Sequence, residues 1–294
     1  MSVPAAASGS RSGTPTPARP AAPHRQVRTA ELMGTVASVH VLTVDRSPAP
    51  ALAVRISAAQ DAAIAQLHEI DALFSPFRPD SQISLLRAGE LRAGDADPRI
   101  AEVAEACARL AEASGGRFDA HRQGWFDPTG YVKGWAVERA AVRHLAPLLS
   151  EPGVVAVALS AGGDMQLLTA ADADWTWSIG IADPDRAGEL RARIPLREGA
   201  VATSGPSERG AHIVDPRTGA AVADAPTATV IADRLSDADA WATVAVVAGF
   251  DDLTWLRAAP DCSGVLIAPD GRIRRWTHGV EVVAAEDPDP RAPR

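Results

Sequence analysis

The sequence predicts an α+β fold in which early helices are followed by a largely antiparallel sheet carrying inserted helices. Three observations carry that reading. Apolar positions recur at helical spacing between residues 57 and 149; short alternating runs dominate from residue 154 onward; and Gly, Asp and Pro turns separate those runs. No internal repeat is visible.

In chain order, Met1 to about Arg28 is rich in Ala, Pro, Ser, Gly and Arg and reads as a disordered tail. Glu31–Asp45 alternates as a strand does, and Ala51–Ile56 is expected to be its hairpin partner. Ser57–Leu73 reads as a helix with Ser57 as its N-cap. Arg99–Ala113 is a second amphipathic helix, stopped by Gly115-Gly116, and Val132–Leu149 a third, closed by Pro152-Gly153. Strands are expected at Val154–Leu159, Met165–Leu168, Trp175–Ile181, Arg191–Pro195, Ala200–Ser204, His212–Val214 and Thr227–Ala232. A helix over Ser236–Gly249 and a short one over Asp251–Ala258 come next. A terminal hairpin, Gly264–Ala268 with Arg272–Thr277, turns at Pro269-Asp270-Gly271. The expected organisation is one domain over 29–282 between tails at 1–28 and 283–294.

Composition narrows the function classes. Hydrophobic residues make up 46% and charged residues 22% of 294, ordinary values for a globular chain that can bury a genuine core. A formal charge of -8 argues against general affinity for nucleic acid or anionic lipid. Cys107 and Cys262 lie far apart without a C-x-x-C pair, so neither a disulfide framework nor a zinc ribbon is expected. The N-terminal stretch has no apolar signal region and no lipoprotein cysteine, and no later run is long and apolar enough to span a bilayer. The expectation is a cytoplasmic protein.

Four polar and glycine clusters stand out, while G-x-G-x-x-G, H-E-x-x-H, G-x-S-x-G and P-loop patterns are absent. Phe118-Asp119 is followed by Asp127 to Ala136, a segment that contains Lys133, the only lysine of the chain. A compact ammonium suits a tight pocket that the wide arginine fork would not enter. It can equally be one surviving surface lysine. Ser160 to Asp164 follows an apolar strand; its Gly162 and Gly163 either let backbone approach a ligand or simply make the turn, and the turn is the simpler account. Thr203, Ser204 and His212 can hydrogen-bond a phosphate or a flavin edge, although Asp215 to Gly219 also reads as a plain turn and His212 as a structural histidine. Asp239 and Thr243 are i,i+4 neighbours on a helix, and a carboxylate with a hydroxyl on one face suits Mg²⁺ rather than zinc. Capping explains Ser236 but not Thr243.

Taken in order, these clusters resemble the ApbE family of FAD:protein FMN transferases. The resemblance begins at Met33-Gly34-Thr35 and continues through Phe74 to Ser84, Phe118-Asp119, Asp127 to Ala136, Gly162-Gly163-Asp164, Thr203-Ser204-Gly205, His212 to Gly219, and Asp239 with Thr243. It implies sheets and packed helices around a central FAD cleft. It implies also a magnesium-dependent transfer of FMN from FAD to a Thr or Ser hydroxyl of a protein acceptor, with release of AMP. By position, Asp239, Thr243 and the Gly130 carbonyl would be magnesium ligands. Met33, Phe77, Arg117, Phe118, Asp119, Asp127, Lys133, Gly162, Gly163, Thr203, Ser204 and His212 would contact FAD. His212 and Asp239 are the candidate bases.

Three features depart from the family pattern. Only Ala120 to Phe126 separate the Phe-Asp motif from the segment that begins at Asp127, a shorter stretch than usual. Phe77 stands where tyrosine is frequent, and Ala242 where some members place another aspartate. Two other functions share the same features. Hydrolysis of FAD to FMN and AMP would use the same metal and leaving group, and a flavin-binding module would turn over nothing.

Overall fold

The first strand, β1 (His24–Leu32), begins inside the stretch read from sequence as a tail. It pairs with β2 (Thr35–Thr43) along its whole length, from His24↔Thr43 to Leu32↔Thr35. The two-residue loop between them, Met33-Gly34, has positive φ at both positions, 49° and 70°, the backbone a tight hairpin requires. Met33 therefore sits in a left-handed conformation that a side chain disfavours. Arg25, Arg28 and Glu31 on β1 guard its edge. This computed structural model describes residues 22–184, 186, 188–206 and 213–282 of the chain.

The long helix α1 (Pro50–Phe74) replaces the expected strand over Ala51–Ile56. Pro50 in its first turn already has a helical φ, and Leu52 and Ile56 open a buried stripe that continues through Ala63, Leu67, Ile70 and Phe74. Ser57 is consequently not a cap. It lies inside the helix, where its hydroxyl and carbonyl accept from the Arg28 guanidinium at 3.1 and 3.4 Å. Then follow α2 (Gln82–Ala88), capped by the Ser81 side chain, and α3 (Pro98–Ala113), capped by Asp97. The helix expected over Val132–Leu149 is α4 (Thr129–Ala140), continued by a π-helical turn at Ala141–Leu145 and a 3-10 turn at Ala146–Ser150.

The strands β3 (Val154–Ala161), β4 (Asp164–Thr169), β5 (Trp177–Ala182), β6 (Leu190–Leu196), β7 (Gly199–Ser204) and β8 (Thr227–Ala232) follow. Helix α5 (Leu235–Ala248) and a 3-10 turn at Thr254–Ala258 precede β9 (Ser263–Ile267), β10 (Ile273–Thr277) and β11 (Val280–Glu281). Among the described residues the main sheet runs β1-β2-β3-β4-β7-β8-β9-β10-β11, and every pairing is antiparallel. The expected strand at His212–Val214 is reduced to one bridge, Val214↔Ala221, and His212 lies outside the described residues.

Alternation along β3 shows how the sheet builds two cores. Val157, Leu159 and Ala161 join the helices' cluster, while Ala156 and Ala158 join a second cluster with Trp177 and Ile179 of the β5–β6 ribbon. Helices therefore cover one face of the sheet and the ribbon covers part of the other. Both cysteines are free and buried, and burial pushes each thiol up to about 12, so they behave as small core residues. Among the described residues no helix is long and apolar enough to cross a membrane.

Candidate functional site

The α4 and α5 helices lie against each other, and the contact is made possible by Gly134. A Cβ there would stand 2.7 Å from the Leu235 carbonyl oxygen and 2.8 Å from Asp239 Cβ. The Gly134 N–H donates to Asp239 Oδ2 at 3.0 Å, so the carboxylate is held by the facing helix. Thr243, one turn on, approaches the end of β7, with its hydroxyl 3.4 Å from that of Ser204. The neighbouring Thr203 hydroxyl is paired with Thr229 of β8 at 2.9 Å.

These groups open into a cavity of about 250 Å³. Lys133 of α4 reaches into it between two carboxylates. Its ammonium is in contact with Asp164 and lies 3.5 Å from Asp239 Oδ1. The side chains of Asp164 and Asp239 are 1% and 6% exposed, and that of Lys133 15%. The other oxygen of Asp164, at the start of β4, accepts from the Thr203 N–H at 3.0 Å. One buried carboxylate thus ties β7 to α4.

The N-terminal end of α4 forms another wall. Asp127 Oδ1 accepts from the Thr129 N–H at 3.1 Å and from its hydroxyl at 2.7 Å, which closes a turn just before the helix. Gly130 follows, where a Cβ would lie 3.1 Å from the Phe118 ring. Bare backbone faces the cavity there. Arg117 lines the same side, with its guanidinium fixed by the Ser114 carbonyl at 3.0 Å and by the Asp252 carboxylate. Burial alone would raise the Asp252 pKa, but donors from Thr254 and Arg117 outweigh it and hold the carboxyl at about 2. Asp119 closes a local turn by accepting from the His121 N–H at 2.7 Å. Arg217, bonded to Asp215, holds that carboxyl below its ordinary range beside the rim at Pro216.

Of the residues singled out in the sequence, Arg117, Phe118, Asp119, Asp127, Gly130 and Lys133 line this cavity. So do Thr203, Ser204, Asp239 and Thr243. Four do not. Met33 and Gly162-Gly163 occupy adjacent turns, joined by the Gly162 N–H donating to the Val36 carbonyl at 3.2 Å. Phe77, in the loop between α1 and α2, is 90% exposed. Ala242 is fully buried and faces the core rather than the cavity. Sequence reasoning passed over Arg122, which lines the cavity from the short 120–126 segment, and the pairing role of Asp164. Arginine is too common here for Arg122 to stand out, and the Ser160–Asp164 cluster reads first as a glycine turn.

The lining around Lys133 is oxygen-rich: it includes the Asp239 carboxylate, the Thr243 and Ser204 hydroxyls and the backbone of Gly130. Among the described residues no group of three or more His, Cys, Asp or Glu side chains converges as a metal site. A hard cation that takes few carboxylates and completes its shell with phosphate oxygens and water fits such a set.

Comparison with known proteins gives one consistent neighbourhood. The ApbE family model matches residues 33–124 and 120–266, and the two stretches meet where the sequence is expected to be shorter than usual. A curated FAD:protein FMN transferase of Treponema pallidum (strain Nichols) is 38% identical over 109 residues, 33% of this chain and 30% of that protein. One of Rhodobacter capsulatus is 33% identical over 157 residues, 50% of this chain and 29% of that protein. The matched segments thus span about a third of the length of these curated relatives. Among solved structures, the ApbE protein of Thermotoga maritima MSB8 matches with a TM-score of 0.71 at 22% identity, over 86% of this chain and 97% of that one. The flavinyl transferase ApbE of Pseudomonas stutzeri matches at 0.64 and 18% identity, over 86% and 93%. These likenesses establish the α+β fold.

Proposed function

The chain belongs to the ApbE family, and from that premise we propose that it moves FMN from FAD to a threonine or serine hydroxyl of a protein acceptor, with magnesium and with AMP as leaving group. The observation that carries this reading is the convergence of Asp239 and Thr243 of α5 with Lys133 of α4 at one cavity. A carboxylate, a hydroxyl and an ammonium so arranged suit a metal-bound pyrophosphate better than a flavin ring alone. The curated relatives named as FAD:protein FMN transferases supply the activity.

Asp239, Thr243 and the Gly130 carbonyl would hold the metal. When bound, magnesium polarises phosphoryl oxygens and neutralises charge that develops on the leaving group. Lys133 binds a phosphate oxygen as a point charge, and the Thr203 and Ser204 hydroxyls orient another. The reaction forms a bond between the acceptor hydroxyl oxygen and the FMN-side phosphorus. The bond from that phosphorus to the bridging oxygen breaks, and AMP leaves with that oxygen. The hydroxyl proton passes to a base, for which Asp239 and His212 are the candidates. Arg117, Phe118, Asp119 and Asp127 contact FAD along the cavity wall. Met33, Gly162, Gly163 and the exposed Phe77, which lie outside the cavity lining, would belong to the FAD site only if the cofactor extends beyond the cavity. The site of action is the cytoplasm, in keeping with two free cysteines.

Calorimetry of FAD binding with and without Mg²⁺, followed by chromatography for AMP, tests the reading. Mg²⁺-dependent FAD binding is expected, with AMP formed when an acceptor is present. FAD binding indifferent to Mg²⁺, with no AMP, would instead mean a flavin-binding module.

A further inference from the structure

We infer that Asp164 is a positioning residue that takes Lys133 as its own counter-ion and so keeps the Asp239 carboxylate available to a divalent cation. The role deepens the transferase reading and rests on it.

Lys133 stands between two buried carboxylates, in contact with Asp164 and 3.5 Å from Asp239 Oδ1. An ammonium that neutralised Asp239 would compete with a metal for the same oxygens. Asp164 weakens that competition, because it holds Lys133 more closely than Asp239 does and leaves the Asp239 charge only partly compensated. Asp239 is then steadied by a neutral donor, the Gly134 N–H at 3.0 Å, which restrains its orientation without cancelling its charge. Asp164 is also suited to hold an anchor in place. It is 1% exposed, sits at the first residue of β4, and its second oxygen is fixed by the Thr203 N–H at 3.0 Å. Through that bond the same carboxylate sets the end of β7, where Thr203 and Ser204 face the cavity.

Lys133 is the only lysine in the chain, so protein grown with lysine labelled at 13Cε and 15Nζ gives one side-chain ammonium signal that needs no assignment. A signal protected from solvent exchange is expected in the wild type and in Asp239→Asn, and its loss is expected in Asp164→Asn. Retention in Asp164→Asn, or loss in Asp239→Asn, overturns the proposal, and the second arm decides even if Asp164→Asn does not fold. With FAD present, Mn²⁺ as the metal probe should bind Asp164→Asn about 10–100-fold more weakly than wild type, the range seen when a group behind a metal ligand is removed. Equal Mn²⁺ affinity contradicts the role. A wild-type protein that binds no Mn²⁺ with FAD contradicts the metal reading of Asp239 instead, and the lysine signal alone then upholds or overturns the anchoring.

Discussion

Gly134 and Asp239 share one contact that joins α4 to α5: the glycine N–H donates to the carboxylate at 3.0 Å, and a Cβ on the glycine would fall 2.8 Å from Asp239 Cβ. Packing and site geometry are therefore set by the same pair. The closest obstruction to a Cβ is backbone, the Leu235 carbonyl at 2.7 Å, which a rotamer change cannot relieve.

Gly134→Ala should accordingly destabilise the fold by about 1–3 kcal/mol, the usual cost of overpacking. It should also displace Asp239 and so weaken Mg²⁺-dependent FAD binding in the fraction that remains folded. Urea unfolding and calorimetry measure the two effects. An alanine variant with wild-type stability and wild-type metal dependence would show that the helices have room to part.

Glu138 provides a second test. No side chain of its own turn caps α5. Glu138 of α4 instead accepts from the Ser236 N–H at 3.0 Å and the Ser236 hydroxyl at 2.6 Å, and pairs with Arg234 at 2.9 Å. Glu138→Ala should cost about 1–3 kcal/mol, as expected when donors bonded to a charged group lose their partner. Glu138→Gln, which keeps an acceptor, should cost less. Equal urea midpoints for the two variants would mean that shape rather than hydrogen bonding matters there.

Acid should act on the Arg117 wall. Asp252 ionises at about 2 in the folded chain against an ordinary 3.8, because Thr254 and Arg117 outweigh the opposing effect of burial. Asp97 is likewise held at about 2, chiefly by Arg99. A lowered folded-state pKa means that the unfolded chain binds more protons, so this stabilisation is complete above pH 3.8 and is lost as pH falls through about 2. The urea midpoint of the wild type should fall across that window, and the fall should be shallower in Asp252→Asn. An unchanged slope would place the acid sensitivity elsewhere.

The legible parts of the fold are those where local pattern and tertiary environment agree. The β8 strand and α5 are both readable as apolar runs of the right length. Asp239 and Thr243 emerged from i,i+4 spacing alone because α5 keeps the helical geometry that this spacing assumes. The expected strand at Ala51–Ile56 failed because a short apolar run fits both periods, and Pro50 as a helix starter outranked its β-branched residues. The start of β1 was hidden by its polar composition; an edge strand can carry charges that a buried strand cannot. Lys133 was conspicuous as a singular residue type, yet its partners lie on β4 and α5, and no spacing rule reaches across elements. Glycines 130 and 134 were visible within a motif, but only the approach of Phe118 to the first, and of Leu235 and Asp239 to the second, explains why a side chain is crowded there.

The central claim is that Asp239 serves a metal-dependent transfer of FMN to protein. Its most direct test is the intact mass of a small acceptor domain carrying the family's target motif, incubated with FAD, Mg²⁺ and either wild-type protein or Asp239→Ala. The acceptor should become heavier by one FMN phosphoester with the wild type and stay unchanged with the variant. An unmodified acceptor alongside accumulating AMP would contradict transfer and indicate hydrolysis of FAD, and full modification by Asp239→Ala would contradict the role assigned to that carboxylate.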